Sequence, residues 1–275
     1  MKISQSSFVY FNYSIQDAIR RMAHYGYKGI EFWGGRPHMY GHDLDAQLEE
    51  IKVLLNEYNM VVPNFIPAQY RYPSILCSLN EVVRKDSVCY VSSAIDTAVK
   101  LGAPYASLCP GMALKGENLK VAWAQLRKSF LELVRYVQDK PVRLIIEPAN
   151  CFETNLILTA KDALRMINEI GSGKLGILLD TGHMNLNAED FKETIETITR
   201  LGNVPFHIHI DDNYGDADAH LIPGEGGIDF SPLARALKAI DYQGFISAEL
   251  GFQYTGDPDS AVEKTYHWLV ENFGK

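Results

Sequence analysis

Two hydrophobic periodicities alternate along the whole chain. Short apolar runs with the unbroken or period-two pattern of strands are separated by stretches whose apolar positions recur every third or fourth residue, the pattern of a helix with one buried face. Residues 2–10 read as a first strand. Ser14 caps the helix that follows, with Asp17 as its capping-box partner, and Gly26 ends it. Residues 29–33 (GIEFW) give a second strand, and Asp43 opens a helix in which Leu44, Leu48, Ile51, Leu55 and Tyr58 share one face. The pattern continues with a strand at 61–66, a long helix at 80–101, a strand at 105–110 and a helix to 138.

The second half keeps the alternation. Residues 142–148 (VRLIIEP) predict strand five, and Thr159 with Asp162 starts its helix. Residues 175–180 (LGILLD) predict strand six, with a helix over 189–200. Strand seven spans 204–211, and Ser231-Pro232 caps the next helix with proline in its first turn. Strand eight covers 244–250 (GFISAEL), and Asp257-Pro258 repeats the capping device for the last helix. Eight strands alternating with eight helices in 275 residues predict one α/β domain over 1–275, a (β/α)8 TIM barrel, a fold of roughly 250 residues. A doubly wound open sheet is the competing architecture, but the GxGxxG fingerprint is absent from the first turn.

Composition narrows the partners. A formal charge of −8 disfavours a surface built to neutralise phosphates, so nucleic acid is excluded as a first expectation. No apolar stretch approaches a membrane span, and the N-terminus lacks the apolar core of a signal peptide. The four cysteines, Cys77, Cys89, Cys109 and Cys151, show no CxxC spacing and suit reduced thiols. The expectation is a cytoplasmic protein with no membrane partner.

The candidate chemistry lies at the strand ends, where barrels of this class carry it. The last polar residue of strands five to eight is Glu147, Asp180, His209 and Glu249, each after an apolar run: LIIE, ILLD, FHIH and ISAE. Adjacent strands let the four side chains converge, and three carboxylates together repel one another unless a cation holds them. Three oxygens and one imidazole suit a divalent ion such as Mn²⁺, Mg²⁺ or Co²⁺ better than Zn²⁺, which favours more nitrogen or sulfur. A single strand-end carboxylate is more often a helix cap; four on consecutive strands favour a metal site. In FHIHID, His207, His209 and Asp211 share one face of the strand. Candidates for substrate contact surround the four: Glu153 in EPANCFETN, His183 in DTGHMN, Asp218 and His220 after strand seven, and Trp33 and His38 in FWGGRPH. Glu225 in PGEG reads as part of a tight turn without chemistry of its own. Tyr70 and Tyr72 read as lid or interface.

IEPANCFETN, LDTGHMN, FHIHID followed by HLIPGEG, and ISAEL resemble the successive strand ends of the sugar isomerase/epimerase family of xylose-isomerase-like barrels, and within it the ketose 3-epimerases of the tagatose and psicose type. The resemblance implies Glu147, Asp180, His209 and Glu249 as metal ligands, and Glu153 and His183 as substrate contacts. It spans essentially the whole chain and is strongest from Val142 onward. GIEFWGGRPH and the RYP around Tyr72 look closer to fructoselysine 3-epimerases. One departure matters. Free-ketose epimerases carry an arginine shortly after the strand-seven histidine, where this chain reads NYGDADAH; its Asp211, Asp212, Asp216 and Asp218 favour a cationic group instead.

The resemblance thus implies a metal-dependent epimerase (carbohydrate metabolism, manganese the first choice of metal) acting on a small sugar. Glu147 and Glu249 act as an acid/base pair on opposite faces of C3, through a cis-enediolate. Related barrels form dimers and tetramers, so a homo-oligomer is expected. The competing readings are an aldose–ketose isomerase of the hydroxypyruvate type, an inosose dehydratase, an endonuclease IV-like metal phosphodiesterase, and a non-catalytic sugar-binding barrel. The phosphodiesterase wants more histidines and a basic face; Asp218-x-His220 before PGEG echoes it.

Overall fold

Eight parallel strands close on themselves in sequence order among the described residues: β1 (Lys2–Ser6), β2 (Gly29–Gly34), β3 (Phe65–Pro67), β4 (Tyr105–Leu108), β5 (Arg143–Ile146), β6 (Leu175–Asp180), β7 (Phe206–Ile210) and β8 (Phe245–Ala248), with β8 pairing back to β1. This computed structural model describes residues 1–69 and 74–274. The expected (β/α)8 barrel is therefore the observed architecture. Tyr70 and Tyr72 lie outside the described residues. No helix among those described is long and apolar enough to cross a membrane.

The connecting helices are α1 (Ile15–Tyr25), α2 (Leu48–Glu57), α3 (Glu81–Leu101), α4 (Leu119–Tyr136), α5 (Ala160–Ile170), α6 (Thr181–Leu186), α7 (Phe191–Leu201), α8 (Ser231–Ala239) and α9 (Pro258–Phe273). Several ends follow local chemistry read in the sequence. Ser14 Oγ accepts from Asp17 N at 3.1 Å, and Gly26 closes α1 at φ 99°, a left-handed conformation that favours glycine. Thr159 and Asp162 form a reciprocal capping box on α5.

Other ends differ, each for a physical reason. The first strand stops at Ser6, and residues Ser7–Tyr10 coil into a 3-10 turn that buries Val9 and Tyr10. Strand three shortens because Pro63 has no N–H for the ladder; Val61 keeps only an isolated bridge to Gly29. The helix expected from Asp43 splits into a 3-10 turn, Gly41–Leu44, and α2. Ser231 is not the cap of α8: it is the first helical residue, and Asp229 Oδ1 accepts its N–H at 2.9 Å. The short α6, directly after β6, has no counterpart in the sequence reading.

Strand alternation places two kinds of core in this barrel. Ile208 and Ile210 belong to the large apolar core, while His207 and His209 alternate with them. The histidines join Ser4, Glu31, Asn64 and Ser247 in a buried polar chain: Ser4 to Ser247, Ser247 to His207 (3.0 Å), His207 to Glu31 (2.5 Å) and Glu31 to His209 (2.9 Å). Asn64 Nδ2 donates to Glu31 Oε2 at 3.0 Å. Buried polar groups of this number are tolerable because most of their hydrogen-bonding atoms satisfy one another, Asn64 Oδ1 and His209 Nδ1 excepted.

Candidate active site

Parallel pairing in register sets the four strand-end residues side by side. Asp180 pairs with His209 across β6 and β7. Glu147 and Glu249 sit one residue beyond their strands yet still donate N–H groups to Leu108 O (3.0 Å) and Ile210 O (3.2 Å). Ligand atoms of Glu147, Asp180, His209 and Glu249 all lie within 4.8 Å of one another. His209 Nδ1 is 2.8 Å from Glu249 Oε2 and 3.5 Å from Glu147 Oε1.

The donor set fits a cation. Asp180 Oδ1 caps α6 by accepting from His183 N at 2.9 Å, while Asp180 Oδ2 is buried without a hydrogen-bond partner. His209 Nδ1 is likewise buried and makes no well-aligned hydrogen bond, despite its nearness to the glutamates. Two orphaned buried atoms on residues of this cluster are what a bound ion would satisfy. Asp180 is thus both a helix cap and a candidate ligand. Two further groupings have metal-like spacing. In Glu31–His207–His209 the ligand atoms are hydrogen-bonded to one another, so it is a network. In Asp180–Asp211–His220, Asp211 already accepts from Gly182 N (2.7 Å) and Thr181 Oγ1 (3.2 Å) and lies 3.1 Å from His220 Nδ1. The close approach at Gly182 requires glycine, since a Cβ there would collide with the Asp211 carboxylate.

Electrostatics follow from this crowding. Burial raises the Glu147 carboxyl above its ordinary value, against the pull of His209. Burial acts the same way on Asp180, but His183, His220 and His209 outweigh it and hold that carboxyl below its usual range. Burial alone would strip the His209 proton; Glu31 and Glu249 reverse this and raise it strongly. Glu153 is pushed up to about 8 by burial, with Asp218 adding to it, whereas at Asp218 the His220 and His183 imidazoles outweigh burial and hold the carboxyl low. The opposite directions leave one of these two carboxyls protonated while the other is ionised.

A cavity of about 550 Å³ opens above the four residues, lined by Glu147, Glu249, Glu153, His183, Asp218 and His220, with Trp33, Phe8 and Phe252 on one side. Trp33 stands edge-on to Phe8, so it serves packing as well as lining the mouth. Asn150 fixes His183: its Oδ1 accepts from Phe152 N at 2.8 Å, which turns Nδ2 toward His183 Nδ1 at 3.0 Å. Two influences oppose there. The surrounding carboxylates, working against burial, push His183 up to about 9, while the Asn150 donor needs a lone pair on Nδ1. The Asn150 donor therefore occupies Nδ1 and leaves Nε2 as the N–H.

The structure does not bring every expected residue here. His38 is fully buried beneath the 3-10 turn, its Nδ1 on Ser7 Oγ (3.0 Å) and its Nε2 on Tyr10 O (3.1 Å), so it is not at the cavity. The acidic cluster also disperses. Asp212 is buried and accepts from the N–H groups of Asn213, Gly224, Gly226 and Ile228, which shapes the PGEG loop. Asp216 is exposed, and only Asp218 of the four lines the cavity. Glu225 accepts from Tyr254 Oη at 2.8 Å, consistent with a turn residue. Glu31 was not singled out from the sequence; its signal is a carboxylate in the middle of the otherwise apolar strand GIEFW.

Residues 19–271 match the xylose isomerase-like TIM barrel family. The chain belongs to that family. Fructoselysine 3-epimerase of Shigella flexneri is 31% identical over 245 residues, 89% of this chain and 88% of the relative. L-ribulose 3-epimerase of a Methylomonas species is 30% identical over 180 residues, 64% of this chain and 57% of the relative. Among solved structures, a 3-keto-D-glucoside 4-epimerase from E. coli superposes with a TM-score of 0.81 at 21% identity, over 98% of this chain and 99% of that one, which speaks to the fold. The named relatives are epimerases, and this family member is an enzyme of the isomerase class.

Proposed function

We propose that this enzyme inverts C3 of a ketose, or of a ketose carrying an amine at C1, with one divalent metal ion held by Glu147, Asp180, His209 and Glu249. The observation that carries the reading is the convergence of these four residues, two of whose ligand atoms, Asp180 Oδ2 and His209 Nδ1, are buried and unpartnered. Similarity to the fructoselysine and L-ribulose 3-epimerases supports the reaction type and the substrate class.

A carbon-bound proton beside a ketone is too weakly acidic for a carboxylate alone. The metal, when bound, supplies polarisation of the carbonyl and spreads the charge of the enediolate. The chain's own residues do the rest. Glu147 comes from β5 and Glu249 from β8, with β6 and β7 between them, so they approach a sugar in the cavity from different sides. One removes the C3 proton and the other delivers a proton to the opposite face; the roles exchange with direction. Such acid–base work contributes roughly 10²–10⁴-fold. Nε2–H of His183 and the protonated Glu153–Asp218 pair orient the oxygens near C1 and C2. That carboxyl pair, rather than a wider acidic loop, is the feature that favours a protonated amine.

The test is turnover by Mn²⁺-loaded enzyme of fructoselysine, psicose, fructose and tagatose, with products identified by NMR. The expected result is C3 inversion, with kcat/KM for the amine conjugate at least tenfold above the free sugars, about 1.4 kcal/mol of transition-state binding. A product with its carbonyl moved, or a dehydrated one, would replace the epimerase reading by the isomerase or dehydratase. A free ketose turned over best would remove the amine and leave the epimerase.

A further inference from the structure

A second chamber of about 290 Å³ lies beside the cavity, and the two share Gln69, Cys109 and Glu153 as a common wall. Much of its remaining lining is apolar, from Ile75, Met112, Ala113 and Leu114, and Lys115 lines it too. Lys115 is exposed and has no ion-pair partner among the described residues.

The junction holds an unsatisfied donor. Gln69 is 4% exposed, and its Oε1 accepts from Cys109 N at 3.2 Å. A backbone N–H can only donate, so the amide orientation is fixed and Nε2 is the free end. That Nε2 is buried with no partner. A buried N–H left unpaired costs free energy until something accepts from it.

We propose that this chamber is a subsite for a substituent carried by the sugar: an alkyl chain attached through the C1 amine and ended by a carboxylate. The inference rests on the ketose-epimerase reading above and extends it. A hexose alone fits the larger cavity, which is within the usual size of small-molecule sites, roughly 300–1,000 Å³. The remaining features follow the proposed ligand outward. The Glu153–Asp218 carboxyl pair meets the secondary ammonium, and Gln69 Nε2 donates to a sugar oxygen at the junction. The apolar walls bury methylenes, and Lys115 receives the terminal carboxylate.

Three conjugates of fructose, with methylamine, hexylamine and 6-aminohexanoate, test this on the Mn²⁺-loaded enzyme. Calorimetry gives Kd, and solvent deuterium entering C3 gives kcat/KM. The hexylamine conjugate is expected to bind at least tenfold more tightly than the methylamine conjugate, and the aminohexanoate conjugate severalfold more tightly again. Lys115→Glu removes the last gain and leaves the methylamine conjugate unchanged. Gln69→Glu keeps the acceptor for Cys109 but replaces the free donor with an acceptor, and it weakens all three conjugates while metal affinity holds. Equal affinities for the three conjugates, with the methylamine conjugate still epimerised, would overturn the subsite and spare the epimerase. Absence of deuterium exchange at C3 in every sugar would overturn the epimerase reading itself.

Discussion

Glu31 Oε2 lies 2.9 Å from His209 Nε2, and both residues are fully buried. The carboxylate can only accept, so Nε2 carries a proton, and Nδ1 is the nitrogen that faces Glu147 and Glu249, where it would give its lone pair to a metal ion. The other Glu31 oxygen accepts from His207 Nε2 at 2.5 Å, and Asn64 donates to Oε2. Burial alone would raise the Glu31 carboxyl, but His207 and His209 hold it well below the ordinary value. A ligand histidine oriented through its other nitrogen by a buried carboxylate is a common arrangement at metal sites.

Glu31→Gln tests that role. The amide keeps one acceptor but turns a donor toward a histidine or Asn64 N–H, so the tautomer of His209 is no longer imposed. Loss of such a partner typically costs about 10–100-fold in metal affinity. Titration calorimetry with Mn²⁺ on folded variant is the measurement, and an unchanged Kd would leave Glu31 a purely structural residue.

Metal removal is the second test. An ion bound only by the folded state stabilises it by RT ln(1 + [L]/Kd), about 2.7 kcal/mol at a hundredfold excess over Kd. For a chain of this size that is on the order of 5 °C or more in Tm. Exhaustive chelation is expected to lower Tm by that amount and abolish activity, with Mn²⁺ or Co²⁺ restoring both. Full activity in the stripped protein would end the metal reading.

What the sequence made legible depends on how local each signal is. Asp180 ends β6 at the residue expected, because one aspartate both closes the apolar run and caps α6. The four strand-end residues were readable because each follows its own apolar run, and barrel closure places neighbouring strand ends together. Glu31 was not, since its partners His207 and His209 are 176 and 178 positions away and only folding joins them. His38 misled for the opposite reason. Its position after β2 suggested the cavity mouth, but the 3-10 turn after Ser6 supplies partners for both ring nitrogens. Asp211 and Asp212 read as part of a cluster for a cationic group, yet the backbone N–H groups of the first turn of α6 and of the PGEG loop use them. A charge count cannot reveal such partners.

The proposed acid/base pair makes a kinetic prediction. Glu147→Gln and Glu249→Gln each preserve an oxygen that can face the metal but remove the group that takes or gives a proton. Each is expected to lower kcat by at least ~10²-fold, with a smaller effect on substrate affinity. In D₂O the wild type is expected to place solvent deuterium at C3. Product that keeps its original C3 hydrogen over many turnovers would require a different carbon or mechanism.

Away from the cavity, Glu189 predicts how stability depends on pH. Its Oε2 accepts from Ala160 N at 2.9 Å, at the first residue of α5. Burial raises its pKa to about 7 from 4.5, the Ala160 N–H opposes this, and Asp162 adds to it. Between those two values the folded chain binds more protons than the unfolded chain, so this group's stabilisation is complete below 4.5 and is lost as pH rises through about 7. The full shift would be worth about 3.4 kcal/mol, but the N-terminus of α5 favours the anion and reduces it to on the order of 1–2 kcal/mol. Glu189→Gln keeps an acceptor for Ala160 and carries no charge. The variant is therefore expected to match the wild type in urea denaturation near pH 4.5, and to exceed it by that amount at pH 8. Taking the difference between the two proteins cancels every other titrating group. A constant difference between pH 4.5 and pH 8 would mean that Glu189 titrates alike in the folded and unfolded chains, and burial would then have no hold on its charge.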